Sequence, residues 1–430
     1  MSYPTYERYK QSGVEWLGEV PEHWQLTRLK FLCDIQTGDK DTVNATDEGS
    51  YPFFVRSQTV ERIGTYTFDC EAILTAGDGV GVGKVFHYHK GPFDFHQRVY
   101  MLNNFRGILG EFLFHYMREN FYKVALEGGA KSTVDSLRMP LFLNFIVAIP
   151  TENEQRAIIR VVTEALEKID TLIAEQERLI ALLAEKRQAV ISHAVTRGLD
   201  PDVRMKDSGV EWIGEVPEHW AVAALRHRYQ QILGKMLDTK KITGSHSLPY
   251  LRNTDVQWDR INSENLPVMD ISPEEYDRYT LKVGDLVVCE GGDVGRCAIW
   301  TGELDVCGFQ KALHRLRPID IEQDNPRFMY YALFAAAKSK AFEDGNVSTI
   351  AHLTGDKLRA HRFTFPPSHE QDEIVGLLDS ELGKIDQTIS TVEHQITLLH
   401  ERRTALISAA VTGKIDVRGL VDAPYELESA

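Results

Sequence analysis

The thirteen residues SGVEWLGEVPEHW at Ser12–Trp24 return as SGVEWIGEVPEHW at Ser208–Trp220, with Leu17 against Ile213 the single difference. A repeat of that fidelity means two copies of one plan, so only folds with two similar halves remain open. A second repeat follows at a larger offset. Pro150-Thr-Glu-Asn-Glu-Gln155 answers Pro366-Pro-Ser-His-Glu-Gln371, Lys168-Ile-Asp170 answers Lys384-Ile-Asp386, and Ala194-Val-Thr196 answers Ala410-Val-Thr412. The offset grows from 196 to 216 because the intervening block has 125 residues in the first copy (25–149) and 145 in the second (221–365). The plan therefore divides the chain into a lead (1–24), a block (25–150), a long segment (151–199), a second lead (200–220), a second block (221–366), a second long segment (367–416) and a tail (417–430).

The long segments read as helices. Val162, Leu166, Ile169, Ile173, Gln176, Ile180, Leu183, Arg187 and Val190 advance in steps of four and three, and the same row shifted by 216 runs from Leu378 to Leu406. That is a heptad seam in one register, twice. No proline interrupts residues 151–200 or 368–423, and Gly198 and Gly413 stand where helix stops belong. Each would be a rod of roughly 65 Å. Two such seams predict an antiparallel coiled coil related by a pseudo-two-fold axis.

The blocks read as mixed α/β. Ala72–Thr75 and Asp285–Cys289 are apolar, β-branched runs beside glycine-rich turns, whereas Gly110–Met117 and Pro326–Leu333 carry helical patterning. The blocks also match weakly inside. Phe54-Val-Arg56 aligns with Tyr250-Leu-Arg252, Val82-Gly-Lys84 with Val294-Gly-Arg296, Gln97-Arg98 with Gln310-Lys311, and Ser132-Thr133 with Ser348-Thr349.

Charge separates the parts. The net charge of −15 argues against nonspecific coating of nucleic acid, yet residues 25–150 carry 13 basic against 14 acidic residues and 221–366 carry 19 of each. The acidity lies in the flanks. Five cysteines with no C-x-x-C pair argue against a disulfide framework or a thiolate zinc site and fit a reducing cytoplasm. No apolar stretch is long enough for a membrane span, and the N-terminal residues do not form a signal peptide.

Catalytic motifs are suggested and then fail. Gly77–Lys84 resembles a phosphate loop, but Asp78 stands where the first glycine should be and Val85 follows the lysine. Asn325-Pro-Arg-Phe328 has the wrong third residue for an amino-methyltransferase motif, and His369–Glu373 lacks the second histidine of a zinc-protease helix. No catalytic or metal-ligating set emerges.

The repeated lead, the two divergent blocks and the two E-Q-initiated helices together resemble the DNA-specificity subunit of type I restriction-modification systems, over roughly residues 5–416. The resemblance implies two target-recognition domains, each reading half of a bipartite, asymmetric site in double-stranded DNA. It implies that the helices act as a spacer and dock two methyltransferase subunits, with motor-nuclease subunits completing the complex. S-adenosylmethionine, ATP and Mg²⁺ would belong to those partners, and this chain would bind no cofactor and catalyse nothing. The competing readings are a duplicated coiled-coil adapter without DNA specificity and a nucleotide-binding enzyme using Gly77–Lys84.

Duplication also sorts candidate DNA contacts. Two unlike half-sites need different base readers, whereas phosphates are the same everywhere. Residues that the alignment shares are the phosphate or scaffold candidates: Arg56 and Arg252, Lys84 and Arg296, Arg98 and Lys311, Ser132 and Ser348, Thr133 and Thr349. Unshared polar neighbours are the base-reading candidates: Gln58, His87, His89, Lys90 and Lys131 in the first block, Asn253, Thr254, Asp255, His314 and Arg315 in the second.

Overall fold

Two long helices, Glu152–Arg197 with 46 residues and Ser368–Val411 with 44, organise the computed structural model. The structure describes residues 3–125, 137, 139–237, 244–343 and 352–420. The chain forms two units, one of Met1–Gln176 with Glu393–Ala430 and one of Glu177–Val392. Each unit holds a lead, a block, the first part of its own long helix and the last part of the other.

Within each unit the two helix segments run antiparallel. In the first unit Arg403 Nη2 lies 3.5 Å from Asp170 Oδ2, while Val162 is buried in one cluster with Leu406, Ile407 and Ala410. In the second unit Arg187 pairs with Asp386, and Ile191 and Val195 are buried with Leu378 and Leu382. Every residue of the seam is buried or half-buried. The 3.5-residue period thus places apolar side chains where the helices meet, each buried leucine or isoleucine contributing about 1.5–3 kcal/mol.

The leads form hairpins of the same register. Tyr9–Gln11 pairs with Glu19–Pro21, and Met205–Asp207 pairs with Glu215–Pro217 in the same register. Trp24 and Trp220 are fully buried beneath them. Gly413 and Gly198, both at positive φ, end the long helices against these leads. A Cβ on Gly413 would lie 2.4 Å from Pro21 Cδ, and one on Gly198 would lie 3.1 Å from Trp220. Glycine is required there for its backbone conformation and for close approach.

The E-Q pair that starts each helix joins three elements. Glu154 accepts from His23 at 2.8 Å and Glu370 from His219 at 2.7 Å, tying helix to lead. Gln155 accepts the N–H of Leu109 at 2.7 Å, and Gln371 accepts that of Asn325 at 2.9 Å. Leu109 and Asn325 are the N-cap residues of Gly110–Asn120 and Pro326–Lys338, the principal helix of each block. The amides of Gln155 and Gln371 also donate to the carbonyls of Pro150 and Pro366, at 3.1 and 2.9 Å.

Each block is closed at its neck by an antiparallel strand pair, Gln25–Arg28 with Ile146–Ile149 and Ala221–Ala224 with Arg362–Phe365. The first block carries a six-stranded sheet in the order Asp34–Thr37, Val99–Asn103, Phe68–Ala76, Phe86–Phe95, Tyr51–Phe54, Glu61–Ile63. The second has a four-stranded sheet (Tyr229–Leu233, Leu313–Pro318, Leu286–Cys289, Cys297–Ile299) and a three-stranded one (Val268–Asp270, Ser247–Leu251, Gly308–Phe309). The mixed α/β reading and both long helices are as expected.

Candidate nucleic-acid interface

Three loops of the first block meet at one rim. Residues 55–58 follow the strand Tyr51–Phe54, residues 77–85 follow Phe68–Ala76, and residues 96–98 precede Val99–Asn103. Arg56 Nη1 lies 2.6 Å from Asp78 Oδ1 and Arg98 Nη1 lies 3.3 Å from Asp78 Oδ2, so one carboxylate holds two guanidiniums. The N–H of Gly77 donates to the Arg98 carbonyl at 2.8 Å, and the Gln58 amide donates to the Lys84 carbonyl at 3.1 Å. Lys84 and Gln58 are exposed. Leu137 reaches the same rim, its N–H donating to the Gly77 carbonyl at 2.9 Å.

The second block builds the same rim from other side chains. Leu353 N–H donates to the Glu290 carbonyl at 2.7 Å, as Leu137 does to Gly77. Asn253 donates from its amide to the Gly291 carbonyl at 3.1 Å and accepts from Arg296 Nη2 at 2.9 Å. Arg252 pairs with Asp255 through two bonds of 2.9 and 2.7 Å. Lys311 is exposed.

Backbone pairing fixes which positions are equivalent, and it corrects the sequence alignment. Phe54 pairs in parallel with Phe95, and Leu251 with Phe309. His96 N–H donates to the Phe54 carbonyl as Gln310 N–H donates to that of Leu251; Gln97 N–H donates to Lys40 as Lys311 N–H donates to Lys235. Hence Arg56 is matched by Asn253, not by Arg252, and Lys311 is matched by Gln97, not by Arg98. Arg98 itself is matched by Ala312. The matches Phe54-Val-Arg56 with Tyr250-Leu-Arg252 and Gln97-Arg98 with Gln310-Lys311 each slip by one residue. The match of Lys84 with Arg296 stands, because Gly83 and Gly295 before them share a positive φ and are both crowded by side chains of a following segment. The matching register also exposes a shared cation that sequence reasoning missed, Lys40 with Lys235. It was hidden because its offset is 195, one short of that of the leads. Ser132, Thr133, Lys131, Ser348 and Thr349 lie outside the described residues.

Burial corrects three base-reading candidates. His314 is fully buried, bonded to the Gln231 amide and the Leu353 carbonyl, each at 2.8 Å, and burial pushes its pKa down. Arg315 is 1% exposed and donates to the carbonyls of Asp277 and Thr280, both at 3.0 Å. Asp255 is buried beneath Arg252. These three hold the second block together and present nothing to a base. Thr254 is exposed, while Asn253 spends both ends of its amide on protein partners.

In the first block His87 Nε2 donates to the Ser57 carbonyl at 2.9 Å, and burial lowers its pKa. His89 is half-buried between Phe54 and Phe93. Lys90 is exposed over the Tyr88 ring, 3.6 Å from Glu71. Among the described residues no group of three or more His, Cys, Asp or Glu is placed to hold a metal ion. No helix among them is long and apolar enough to cross a membrane. Asn325 has a structural task, its side chain accepting from Arg327 N–H at 2.8 Å as a helix N-cap.

Comparison with known families matches the type I restriction modification DNA specificity domain twice, at residues 21–181 and 218–398. The chain belongs to this family. The EcoDI type I specificity subunit of Escherichia coli is 30% identical over 191 residues, covering 44% of this chain and 42% of that subunit. The MjaVIII specificity subunit of Methanocaldococcus jannaschii is 22% identical over 423 residues, covering 93% of this chain and 95% of that one. The chain thus spans less than half of the EcoDI subunit and nearly all of the MjaVIII subunit. Among solved structures, the HsdS subunit from Thermoanaerobacter tengcongensis shares the fold at a TM-score of 0.55 and 17% identity, covering 94% of this chain and all of that one. A chain from a study of assembly and conformational transition in a type I R-M system gives a TM-score of 0.69 at 15% identity, covering 91% of this chain and 98% of that one. The two family matches fall on the two copies of the repeated plan.

Proposed function

We propose that this chain reads DNA for a type I restriction-modification complex, with residues 25–150 recognising one half of a bipartite, asymmetric site and residues 221–366 the other. The observation that carries this reading is the contrast within the duplication. The lead sequence, the E-Q clamp, the neck pairing and the register of the helix seam recur in both units, whereas the side chains at the matching rims differ. Two unlike half-sites demand unlike rims on one scaffold.

The same contrast supports two copies of one partner. Near-identical leads, beside helices that share one seam register, offer similar docking surfaces, which suits two methyltransferase subunits. Motor-nuclease subunits join them, and the methyl donor, ATP and Mg²⁺ reside in those partners in the cytoplasm. This chain supplies specificity without a catalytic step of its own.

The test is to co-express the chain with an adenine methyltransferase partner and sequence the methylated bases. A bipartite motif is expected, and exchanging residues 25–149 for another recognition block should change one half only. Methylation without a motif, or a change in both halves, would overturn the reading in favour of an adapter that carries no DNA specificity.

A further inference from the structure

We propose that Arg56 and Arg98, held together by Asp78, are the base-reading pair of the first recognition domain and that they engage guanine in its half-site. The inference rests on the DNA-reading function proposed above and goes beyond it by naming the residues and the base.

The argument starts from register. Residues shared by the two domains suit phosphate, and residues that differ at matching exposed positions suit bases. The sequence alignment placed Arg56 and Arg98 in the shared set, and the hydrogen-bond register removes both. Ala76 pairs with Val99 as Cys289 pairs with Leu313, which matches Asp78 to Gly291. A Cβ on Gly79 would lie 3.8 Å from Arg56, and one on Gly292 would lie 3.9 Å from Asn253, which matches Arg56 to Asn253 a second time. The triad Arg56–Asp78–Arg98 is therefore replaced in the second domain by Asn253, Gly291 and Ala312.

The replacement also shows that the triad is not needed to build the rim. Asn253 bonds to the Gly291 carbonyl at 3.1 Å, so the second domain joins the same two loops without any ion pair. What the triad adds is chemistry. Arg56 and Arg98 have side chains 39% and 56% exposed and share a single carboxylate, leaving one net positive charge. Each donates one side-chain hydrogen bond to Asp78, and among the described residues most of the five N–H donors of each guanidinium have no other partner. A planar fork with open donors matches the O6 and N7 acceptors of guanine in the major groove. Asp78 limits the rotamers of both, so less side-chain freedom is lost on contact.

The experiment uses the full chain assembled with its methyltransferase, reading the methylated motif, competition binding on single-base variants and thermal stability. The half read by the first domain is identified by exchanging residues 25–149. That half is expected to contain guanine, and Arg56→Ala or Arg98→Ala should each relax one guanine position roughly five- to hundredfold, with the other half fully specified. Arg98→Lys keeps a cation beside Asp78 but loses the fork; it should relax the same position with the melting temperature retained. The inference is overturned if that half lacks guanine. It is equally overturned if all three variants leave every position as specified as before, or if binding weakens equally on all sequences with the salt slope reduced by about one. A wild-type complex that methylates no bipartite motif would bring down the proposed function itself. A normal wild-type motif with unaltered variants would sink only the assignment of Arg56 and Arg98.

Discussion

Arg403 of the C-terminal helix holds Nη2 3.5 Å from Oδ2 of Asp170 on the central helix, and 216 positions earlier Arg187 makes the same pair with Asp386. Both arginines lie on the heptad seam and are spent within the chain. They therefore serve helix pairing. Arg403 and Asp170 are 32% and 54% exposed, so the pair contributes at most about 1 kcal/mol. Arg403→Glu sets two like charges side by side and should lower the melting temperature by a few degrees. Adding Asp170→Arg restores an opposite pair and should recover most of that loss. Calorimetry on the single and double variants checks this, and no recovery would show that the pair does not set the register.

That register was legible in the sequence because a coiled coil is specified by period. Nine seam positions repeated at one offset leave little freedom, and a single glycine suffices to stop each helix at a lead. The recognition rim was legible only in outline. Its shared matches are two or three residues long, and strand register is set by backbone hydrogen bonds that no side chain reports. A slip of one residue was enough to pair Arg98 with Lys311. His314 and Arg315 misled for another reason. They are polar residues in a strand covered on both faces, and the carbonyls that satisfy them come from Leu353, Asp277 and Thr280, far off in sequence.

The E-Q clamp should be the costliest small lesion outside the apolar core. Gln155 is 2% exposed and bonds to Leu109 N–H and the Pro150 carbonyl; Gln371 is 1% exposed and bonds to the matching pair. Gln155→Ala leaves a buried donor and a buried acceptor without partners, a loss of about 2–4 kcal/mol. The effect should fall on the first unit, and Gln371→Ala should do the same to the second. Hydrogen exchange at Leu109 and Asn325 reads each site separately. Unchanged protection at Leu109 in Gln155→Ala would refute the clamp.

Acid should loosen both units over one pH window. Burial pushes the His115 pKa down to about 4, with Arg118 and Arg403 adding to the effect, and burial alone takes His361 to about 4. Each is neutral in the fold and ordinary in the unfolded chain, where histidine titrates near 6.5. Unfolding thus takes up protons between those values. The stability contribution is full above about pH 6.5 and falls as pH drops toward 4, by about 3 kcal/mol per histidine at its largest. His361 sits among the rings of Trp212, Phe342 and Phe363, so phenylalanine fits there. His361→Phe should flatten the acid slope of the second unit and leave that of the first. Melting curves across pH 4 to 8 with an unaltered slope would show that His361 does not carry it.

The length of the paired helices should govern the gap between half-sites. Because Asp170–Arg403 and Arg187–Asp386 fix the register from two places, a heptad removed from the central helix alone would leave one of them mismatched. Removing residues 176–182 together with 392–398 takes the same heptad from both helices and preserves both ion pairs and both E-Q clamps. Seven residues are about 10 Å of helix, and that is about three base pairs of DNA. The paired deletion should therefore yield a methylated motif with both half-sequences intact and a gap shorter by about that number. The single deletion should lower thermal stability and yield little assembled complex. An active complex with the paired deletion and an unchanged gap would show that the separation of half-sites is set elsewhere, and the helices would then serve assembly alone.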